Sequence, residues 1–306
     1  MKLFKLLTFS LVLGLAACAD QSSRSIESQL EAAGLRIQGG ELVSKATDPV
    51  TKQVKSVLAM VKQEDFKPHC GGVFIAPRLV LTAAHCLFDV DTENLIPTKD
   101  LKISSCIDKS STGCGWMQVH SYKVHQNYFR LNPEIVSEYK RLGYKKPPLS
   151  TSRYDLAVVL LSKKTSIQKF ISIAKQSPKV GDDIFAFGSG ITHKGATLDK
   201  LMRVAKLTVD RASNHTSDGA DFEGRYLAMH SSEKGICGGD SGAPVLMSND
   251  SGIALSGLNI MGMTTSEEHA CGAKAAIVLD LSKYTDWISE ISKELFDDSA
   301  LVNNKL

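Results

Sequence analysis

The sequence predicts an all-β fold of antiparallel sheets, with one amphipathic helix near the C-terminus. Short apolar runs separated by Pro, Gly and charged residues recur along the chain, which is typical of the strands of β-sandwiches and β-barrels. Near the end of the chain the apolar residues recur instead at steps of three and four, as on one face of a helix: Leu281, Tyr284, Ile288, Ile291 and Leu295.

The first 18 residues have the layout of a secretory signal. Lys2 and Lys5 precede an apolar stretch from Leu6 to Leu15, which is too short to span a bilayer. We therefore expect export, and we assign residues 1–18 to a signal peptide. Residues 19–36, rich in Ser, Gln and Glu, are expected to form a propeptide or tether.

The signal ends in Leu15-Ala16-Ala17-Cys18, which resembles the lipoprotein box of bacteria. In such a box, cleavage before the cysteine leaves its thiol to carry lipid. The resemblance implies a membrane-anchored precursor; the alternative is an ordinary cleavage site with Cys18 incidental or free. Without Cys18, six of the seven cysteines remain, an even set suited to disulfides in an oxidising compartment.

The folded body is expected to begin near Ile37 and to consist mostly of strands. The stretch 89–153 is long, mixed and locally basic, so we expect it to form enlarged surface loops. The net charge of +3, from 36 basic and 33 acidic residues, is too balanced for a nucleic-acid-binding surface. The expected strands lie within 56–61, 72–75, 79–81, 155–161, 183–187, 203–209, 243–247, 258–263 and 275–281.

Three motifs place reactive side chains beside predicted strands. Thr82-Ala83-Ala84-His85-Cys86 ends one apolar strand, Asp155 opens another, and Gly238-Gly239-Asp240-Ser241-Gly242 is a glycine-rich turn around a serine. A serine hydroxyl is a poor nucleophile near pH 7, so it needs a base within hydrogen-bond reach and the base needs an orienting partner. Ser241, His85 and Asp155 can fill these three roles in that order.

In these motifs and their order, the sequence resembles the trypsin and chymotrypsin family of serine endopeptidases, from Ile37 to Leu295. The resemblance implies two antiparallel six-stranded β-barrels within a protease domain at 37–306. The N-terminal barrel would span about 37–160, the C-terminal barrel about 165–281, and the helix about 282–296. The resemblance also implies a His85, Asp155, Ser241 triad and an oxyanion hole formed by the amides of Gly239 and Ser241.

The resemblance further implies disulfides between Cys70 and Cys86 and between Cys237 and Cys271. Cys106 and Cys114 have no counterpart in the family, and we expect them to pair and close a small inserted loop. Zinc is the competing interpretation of six cysteines, but the close Cys-x-x-Cys pairs of a zinc site are absent from the sequence. We expect no metal and no cofactor.

Arg36-Ile37-Gln38-Gly39-Gly40 resembles the activation site of the family, although Gln38 replaces the usual apolar residue. Cleavage after Arg36 by an activating protease would free an ammonium group at Ile37 that pairs with Asp240. The alternative is a loop in which Arg36 and Ile37 are adjacent by chance.

Substrate preference rests on the residues that the resemblance places around the primary pocket. Gly235 would form its floor, with Ile236 beside it, and Thr265, Ser266 and Glu267 would form its wall. A floor without an acid disfavours Lys and Arg, so we expect a weak preference for apolar residues before the scissile bond. Glu267 either restores some attraction for basic side chains or points to solvent.

These features predict an exported serine endopeptidase that acts on protein or peptide substrates. It would be made as an inactive precursor, anchored to the membrane through lipidated Cys18, and become periplasmic or extracellular on activation. Two alternatives remain: an inactive homologue that uses 89–153 as a binding surface, and a lipoprotein ester hydrolase that uses the same triad.

Overall fold

The structure of the 306-residue chain is a computed structural model. The chain divides after Leu35, and the description below concerns the unit from Arg36 to Leu306. The structure describes residues 41–43, 45, 47, 51, 54–63, 69–89, 91–105, 115–143, 149–190, 201–211, 223–229, 236–249, 252–263 and 275–303.

The N-terminal half of this unit forms a closed antiparallel barrel of six strands, in the order β2-β3-β4-β7-β6-β5. Its strands are β2 (Leu58–Gln63), β3 (Cys70–Ala76), β4 (Leu79–Thr82), β5 (Leu101–Ser104), β6 (Met117–Val124) and β7 (Ala157–Leu161). Every residue of β4 and β7 is buried, which explains why these two strands are continuous apolar runs rather than alternating ones.

The pairing of β4 with β7 places two of the predicted catalytic residues at the same end of the barrel. Thr82, the last residue of β4, pairs with Ala157, the first residue of β7. His85 follows Thr82 by three positions and Asp155 precedes Ala157 by two, so both leave the barrel at that rim.

The C-terminal half forms a second antiparallel barrel of six strands, β9-β10-β13-β12-β11-β8, closed by pairing of β8 with β9. Its strands are β8 (Asp183–Gly188), β9 (Arg203–Arg211), β10 (Arg225–Met229), β11 (Pro244–Asn249), β12 (Gly252–Met263) and β13 (Ala275–Asp280). The short strand β1 (Glu41–Leu42) joins this sheet along β9, although it falls within the predicted N-terminal barrel, about 37–160.

The two longest described α-helices and several short 3₁₀ segments accompany these strands. Helix α1 (Pro133–Arg141) has Pro at its first position, and the side chain of Asn132 caps it by accepting from the amides of Glu134 and Ile135. Helix α2 (Thr285–Asn303) buries Ile288 and Leu295 and extends past the predicted end at 296. Within the described residues, no helix is both long and apolar enough to cross a membrane.

The prediction that 89–153 forms surface loops is wrong for three of its segments. Strands β5 and β6 lie there, and without them the N-terminal barrel could not close. Helix α1 lies there as well. Strand β6 has the sequence Met-Gln-Val-His-Ser-Tyr-Lys-Val, in which polar residues interrupt the apolar ones. Most of its side chains are only half-buried, which allows this mixture. The strand therefore contains no apolar run that would predict it.

A shared core joins the two barrels. The largest cluster of buried apolar side chains fills the N-terminal barrel and continues into the C-terminal barrel through Phe187, Leu246, Leu258 and Leu279. Since packed interiors transmit strain rather than absorb it, the core fixes one barrel against the other. Side chains contributed by both barrels can therefore be held in one geometry.

Candidate active site

The rim of the N-terminal barrel brings His85 and Asp155 together through two hydrogen bonds. One carboxylate oxygen of Asp155 lies 2.7 Å from Nδ1 of His85, and the other accepts from the backbone N–H of His85 at 2.8 Å. His85 lies in a short 3₁₀ segment, Ala84–Leu87, that follows β4. Asp155 is only 4% exposed, whereas the side chain of His85 is 27% exposed.

This arrangement determines the protonation pattern of the imidazole. A carboxylate is only an acceptor, so Nδ1 of His85 carries the proton that points to Asp155. The other ring nitrogen, Nε2, is then an acceptor in the neutral imidazole. The pair can therefore take a proton from a group that approaches the exposed edge of the ring.

The turn that carries Ser241 comes from the C-terminal barrel and packs on β3 of the N-terminal barrel. The amide of Gly71 donates to the carbonyl oxygen of Ser241 at 2.8 Å. A Cβ on Gly71 would lie 2.5 Å from the Cβ of Ala243, so glycine at this position allows the close approach. Sγ of Cys86, next to His85, lies 3.7 Å from the same carbonyl oxygen, which places the turn beside the histidine.

The structure thus brings all three predicted triad residues to the junction of the barrels. Among the described residues, the hydroxyl of Ser241 makes no hydrogen bond to His85. Catalytic hydrogen bonds are often long or poorly aligned before substrate binds. The lack of this bond is therefore compatible with Ser241 as a nucleophile and His85 as its base.

The turn before Ser241 contains the amides of Gly239 and Ser241, which are the predicted oxyanion donors. Within the described part of the chain, neither amide donates a hydrogen bond to a protein acceptor, whereas Asp240 between them donates to the carbonyl of Cys237. Gly239 has a φ of 96°, a left-handed conformation that glycine adopts readily. This turn therefore presents two N–H groups of the kind that stabilise developing negative charge.

Asp240, which precedes Ser241 in the chain, is completely buried. Its two carboxylate oxygens accept from the amides of Gly190 at 2.7 Å and Cys237 at 2.8 Å. Burial raises the pKa of Asp240 to about 7, against the opposing effects of these two amides and of the positive charge of Arg203. A further cation beside this carboxylate would favour its charged form.

A comparison with known protein families agrees with this geometry. The Trypsin family profile matches residues 44–288, which is most of the chain. The chain belongs to the trypsin family. Among curated trypsin family members, Trypsin iota of Drosophila melanogaster is 26% identical over 261 residues, or 82% of this chain and 88% of that protein. Trypsin epsilon of Drosophila erecta is 25% identical over 246 residues, or 77% and 82%.

Solved structures show the same fold. Neuropsin, a serine protease expressed in the limbic system of mouse brain, superimposes with a TM-score of 0.57 at 21% identity, covering 78% of this chain and 95% of its own. A mutant of human heparin binding protein superimposes with a TM-score of 0.60 at 16% identity, covering 84% and 96%. The two six-stranded barrels with a C-terminal helix confirm the predicted fold class of this trypsin family member.

The structure contains the disulfide between Cys70 and Cys86, with an S–S distance of 1.97 Å. Cys237 is also disulfide-bonded. Cys70, Cys86 and His85 present potential metal-binding atoms within 4.8 Å of one another. The two sulfurs are joined to each other, however, so they are not the thiolates that a metal such as zinc requires.

Two neighbours of the site were not predicted from the sequence. Arg203 is fully buried, and its positive charge acts on the pKa of Asp240. Arg203 is the first residue of β9, a strand that also contains Lys206 and Asp210, so nothing in the sequence distinguished this arginine as buried. Tyr128 is buried near Asp155, and both burial and the negative charge of Asp155 raise the pKa of Tyr128, so its phenol stays neutral.

Several predicted site residues lie outside the described part of the chain, and their assignments remain predictions. Ile236, predicted beside the pocket floor, is described, and it is buried among apolar side chains of the C-terminal barrel. The predicted residues outside the described ranges are Cys18, Arg36, Ile37, Gly235, Thr265, Ser266, Glu267, Cys106, Cys114 and Cys271.

Proposed function

We propose that this chain is a serine endopeptidase that cleaves peptide bonds through an acyl-enzyme. Ser241 attacks the peptide carbonyl while His85 takes the hydroxyl proton on Nε2. The tetrahedral intermediate collapses, the C–N bond breaks, and His85 gives the proton to the leaving amine. Water then repeats the sequence on the acyl-enzyme and restores Ser241. The hydrogen bond between Nδ1 of His85 and Asp155 carries this proposal, because it leaves Nε2 as the acceptor that a base requires, while the backbone N–H of His85 holds the same carboxylate.

Substitution of the nucleophile and the base tests this mechanism. Ser241→Ala and His85→Ala should each reduce kcat for peptide cleavage by at least about a thousandfold, and the double variant should be little worse than either, because the two residues act as a unit. Ser248→Ala, on the exposed end of β11, is the matched control and should retain wild-type turnover. Substantial peptidase activity in purified Ser241→Ala would exclude this triad.

We infer that cleavage between Arg36 and Ile37 activates the enzyme. A carboxylate as deeply buried as Asp240 is costly to ionise without a cation, and a new ammonium group at Ile37 would supply one. Ordering of Asp240 by this pair would fix the adjacent amides of Gly239 and Ser241. Arg36→Gln should therefore yield a folded chain with little peptidase activity, whereas full activity in the uncleaved variant would refute the activation step.

We propose a preference for small to medium apolar residues before the scissile bond. The support is the absence of an acid at Gly235 and the apolar, buried side chain of Ile236. A peptide-library profile dominated by Lys and Arg would contradict this preference. If Glu267→Gln then removed that dominance, Glu267 would be its source.

We propose that activation also releases the enzyme from the membrane. The lipid-bearing Cys18 would precede the cleavage site and the triad would follow it. Stable attachment needs more than one acyl chain, and a lipoprotein cysteine of this type is expected to carry several. Processed protein should begin at Ile37 and be soluble, whereas Arg36→Gln should stay with the membrane. Active enzyme beginning at Ile37 in a salt-washed membrane pellet would refute release.

A further inference from the structure

The segment that carries Asp155 is held by residues from the C-terminal half of the molecule. The hydroxyl of Tyr284, just before α2, donates to the carbonyl oxygen of Arg153. The buried guanidinium of Arg225, the first residue of β10, donates to the hydroxyl of Ser152 at 2.9 Å. Ser152 and Arg153, shortly before Asp155, are therefore held by Arg225 of β10 and by Tyr284, neither of which belongs to the barrel of Asp155.

The ring of Tyr154, in the same segment, belongs to a group of four packed aromatic rings. The ring of His125 lies between those of Tyr154 and Trp287, with centroid distances of 4.7 and 4.8 Å, and Tyr284 meets it edge-on at 5.8 Å. Trp287 also donates from its indole N–H to the side chain of Gln126 at 2.8 Å. We call His125, Tyr154, Tyr284 and Trp287 the aromatic cluster.

The backbone at Gly224 leaves room for the hydroxyl of Tyr284. Gly224 has a φ of 71°, and a Cβ added there would overlap the hydroxyl oxygen. The guanidinium of Arg153 pairs with Glu223, the residue before this glycine. Glu223 and Gly224, the two residues before β10, thus both lie against the contact between Tyr284 and Arg153.

Only a short stretch of chain separates the contact between Tyr284 and Arg153 from the carboxylate of Asp155. The 3₁₀ segment that contains Arg153 ends at Tyr154, and β7 begins at Ala157, so only Asp155 and Leu156 lie between them. The carbonyl of Leu156 is itself fixed by the amide of His125 at 2.9 Å. A movement of the Arg153 carbonyl would therefore rotate Asp155.

Asp155 has little tolerance for such a rotation. Its two oxygens bond to two different nitrogens of His85, at 2.7 and 2.8 Å, so a turn of the carboxylate plane weakens at least one of these bonds. Displacements of about 1 Å at a reacting group cost up to about a hundredfold in rate.

We propose that Tyr284 is a positioning residue for the triad, which holds Asp155 in register with His85 through the carbonyl of Arg153. This inference rests on the proposed function, because it assigns Tyr284 to the same reaction. Tyr284 directly precedes α2. The packing of α2 therefore also fixes the position of Asp155, which belongs to the N-terminal barrel. The aromatic cluster keeps the Tyr284 ring in place.

Deletion of one hydroxyl tests the proposal. Tyr284→Phe keeps the ring and removes only the bond to Arg153. Tyr122→Phe is the matched control, because Tyr122 also donates from its hydroxyl to a backbone carbonyl, that of Ile96 at 2.7 Å, which lies outside the Asp155 segment. Both variants should show similar shifts of the urea unfolding midpoint, since each loses the same kind of hydrogen bond.

Catalysis should separate the two variants. In Tyr284→Phe we expect kcat to fall about fivefold to thirtyfold, with KM within about twofold of wild type, because geometry and not substrate contact is changed. The rate at which a fluorophosphonate labels Ser241 should fall by a similar factor. Tyr122→Phe should retain the wild-type kcat and labelling rate. Gly224→Ala, confirmed to be folded by its urea midpoint, should reproduce the loss in kcat, since its Cβ displaces the hydroxyl.

Three results would overturn this inference: an unchanged kcat in Tyr284→Phe, an equal loss of kcat in Tyr122→Phe, or a rise in KM alone. If the wild-type enzyme neither reacts with the fluorophosphonate nor cleaves peptides, the proposed function itself fails and this inference fails with it. An active wild type that Tyr284→Phe matches in every readout rejects only the positioning role.

Discussion

Replacement of His125 by Phe should change how stability depends on pH. Burial among aromatic rings lowers the pKa of His125 from 6.5 to about 4. Its Nδ1 accepts from the amide of Asn127 at 3.2 Å, a bond that protonation of Nδ1 would remove. Between pH 6.5 and 4 the unfolded chain therefore binds a proton that the folded chain does not. The contribution of His125 to stability is present above pH 6.5 and is lost as the pH falls to about 4.

The size of this effect follows from the pKa shift. Between pH 7 and pH 4.5, His125 should lower the free energy of unfolding of the wild type by about 2 kcal/mol, at about 1.4 kcal/mol per unit of pKa difference. His125→Phe keeps an aromatic ring in the cluster and cannot titrate. Any change in packing caused by the new phenylalanine alters the free energy of unfolding by the same amount at both pH values.

Urea unfolding at pH 7 and pH 4.5 measures this difference. Both compared proteins carry Ser241→Ala, which should abolish peptidase activity and so prevent self-digestion. The stability of His125→Phe relative to its parent should rise by about 2 kcal/mol on acidification. Other titrating groups cancel because they are shared by both proteins. A relative stability that stays constant from pH 7 to pH 4.5 would refute a buried, neutral His125.

Three further predictions concern the nucleophile turn and its surroundings. Gly242→Ala should abolish peptide turnover, because Gly242 has a φ of 76° and its new Cβ would lie 2.6 Å from the carbonyl oxygen of Gly71; normal turnover would contradict this packing. In the uncleaved chain, burial raises the pKa of Asp240 to about 7, so the folded state retains a proton that the unfolded state releases, and stability should fall as the pH rises from about 4 to about 7. Asp240→Asn should remove that decline in urea titrations, and an unchanged slope would refute it. Replacing both Cys70 and Cys86 by Ser should lower the free energy of unfolding by about 2 to 4 kcal/mol, because the disulfide is lost. A loss below about 1 kcal/mol would contradict this contribution of the disulfide.

The features that the sequence predicted well are those with strong local signals. Fully buried strands such as β4 and β7 are continuous apolar runs, and they were located within two residues of their ends. The motifs around His85, Asp155 and Ser241 are short and contiguous, so their order along the chain identified the fold class before any geometry was available.

The features that the sequence did not predict depend on long-range pairing. Strand β6 is recognisable only through its partners β5 and β7, since it mixes polar and apolar residues and nearly all of its side chains are half-buried. Strand β10 begins with the fully buried Arg225, which no apolar pattern includes. The contact between Tyr284 and Arg153 joins residues 131 positions apart, so nothing local in the chain indicates it.

Fluorophosphonate labelling of the processed enzyme, followed by intact mass and peptide mapping, tests whether Ser241 is a nucleophile activated by His85. We expect one adduct per chain, located on Ser241, and its loss in His85→Ala although the serine is still present. An unlabelled enzyme that begins at Ile37, or an adduct on a different serine, would contradict it.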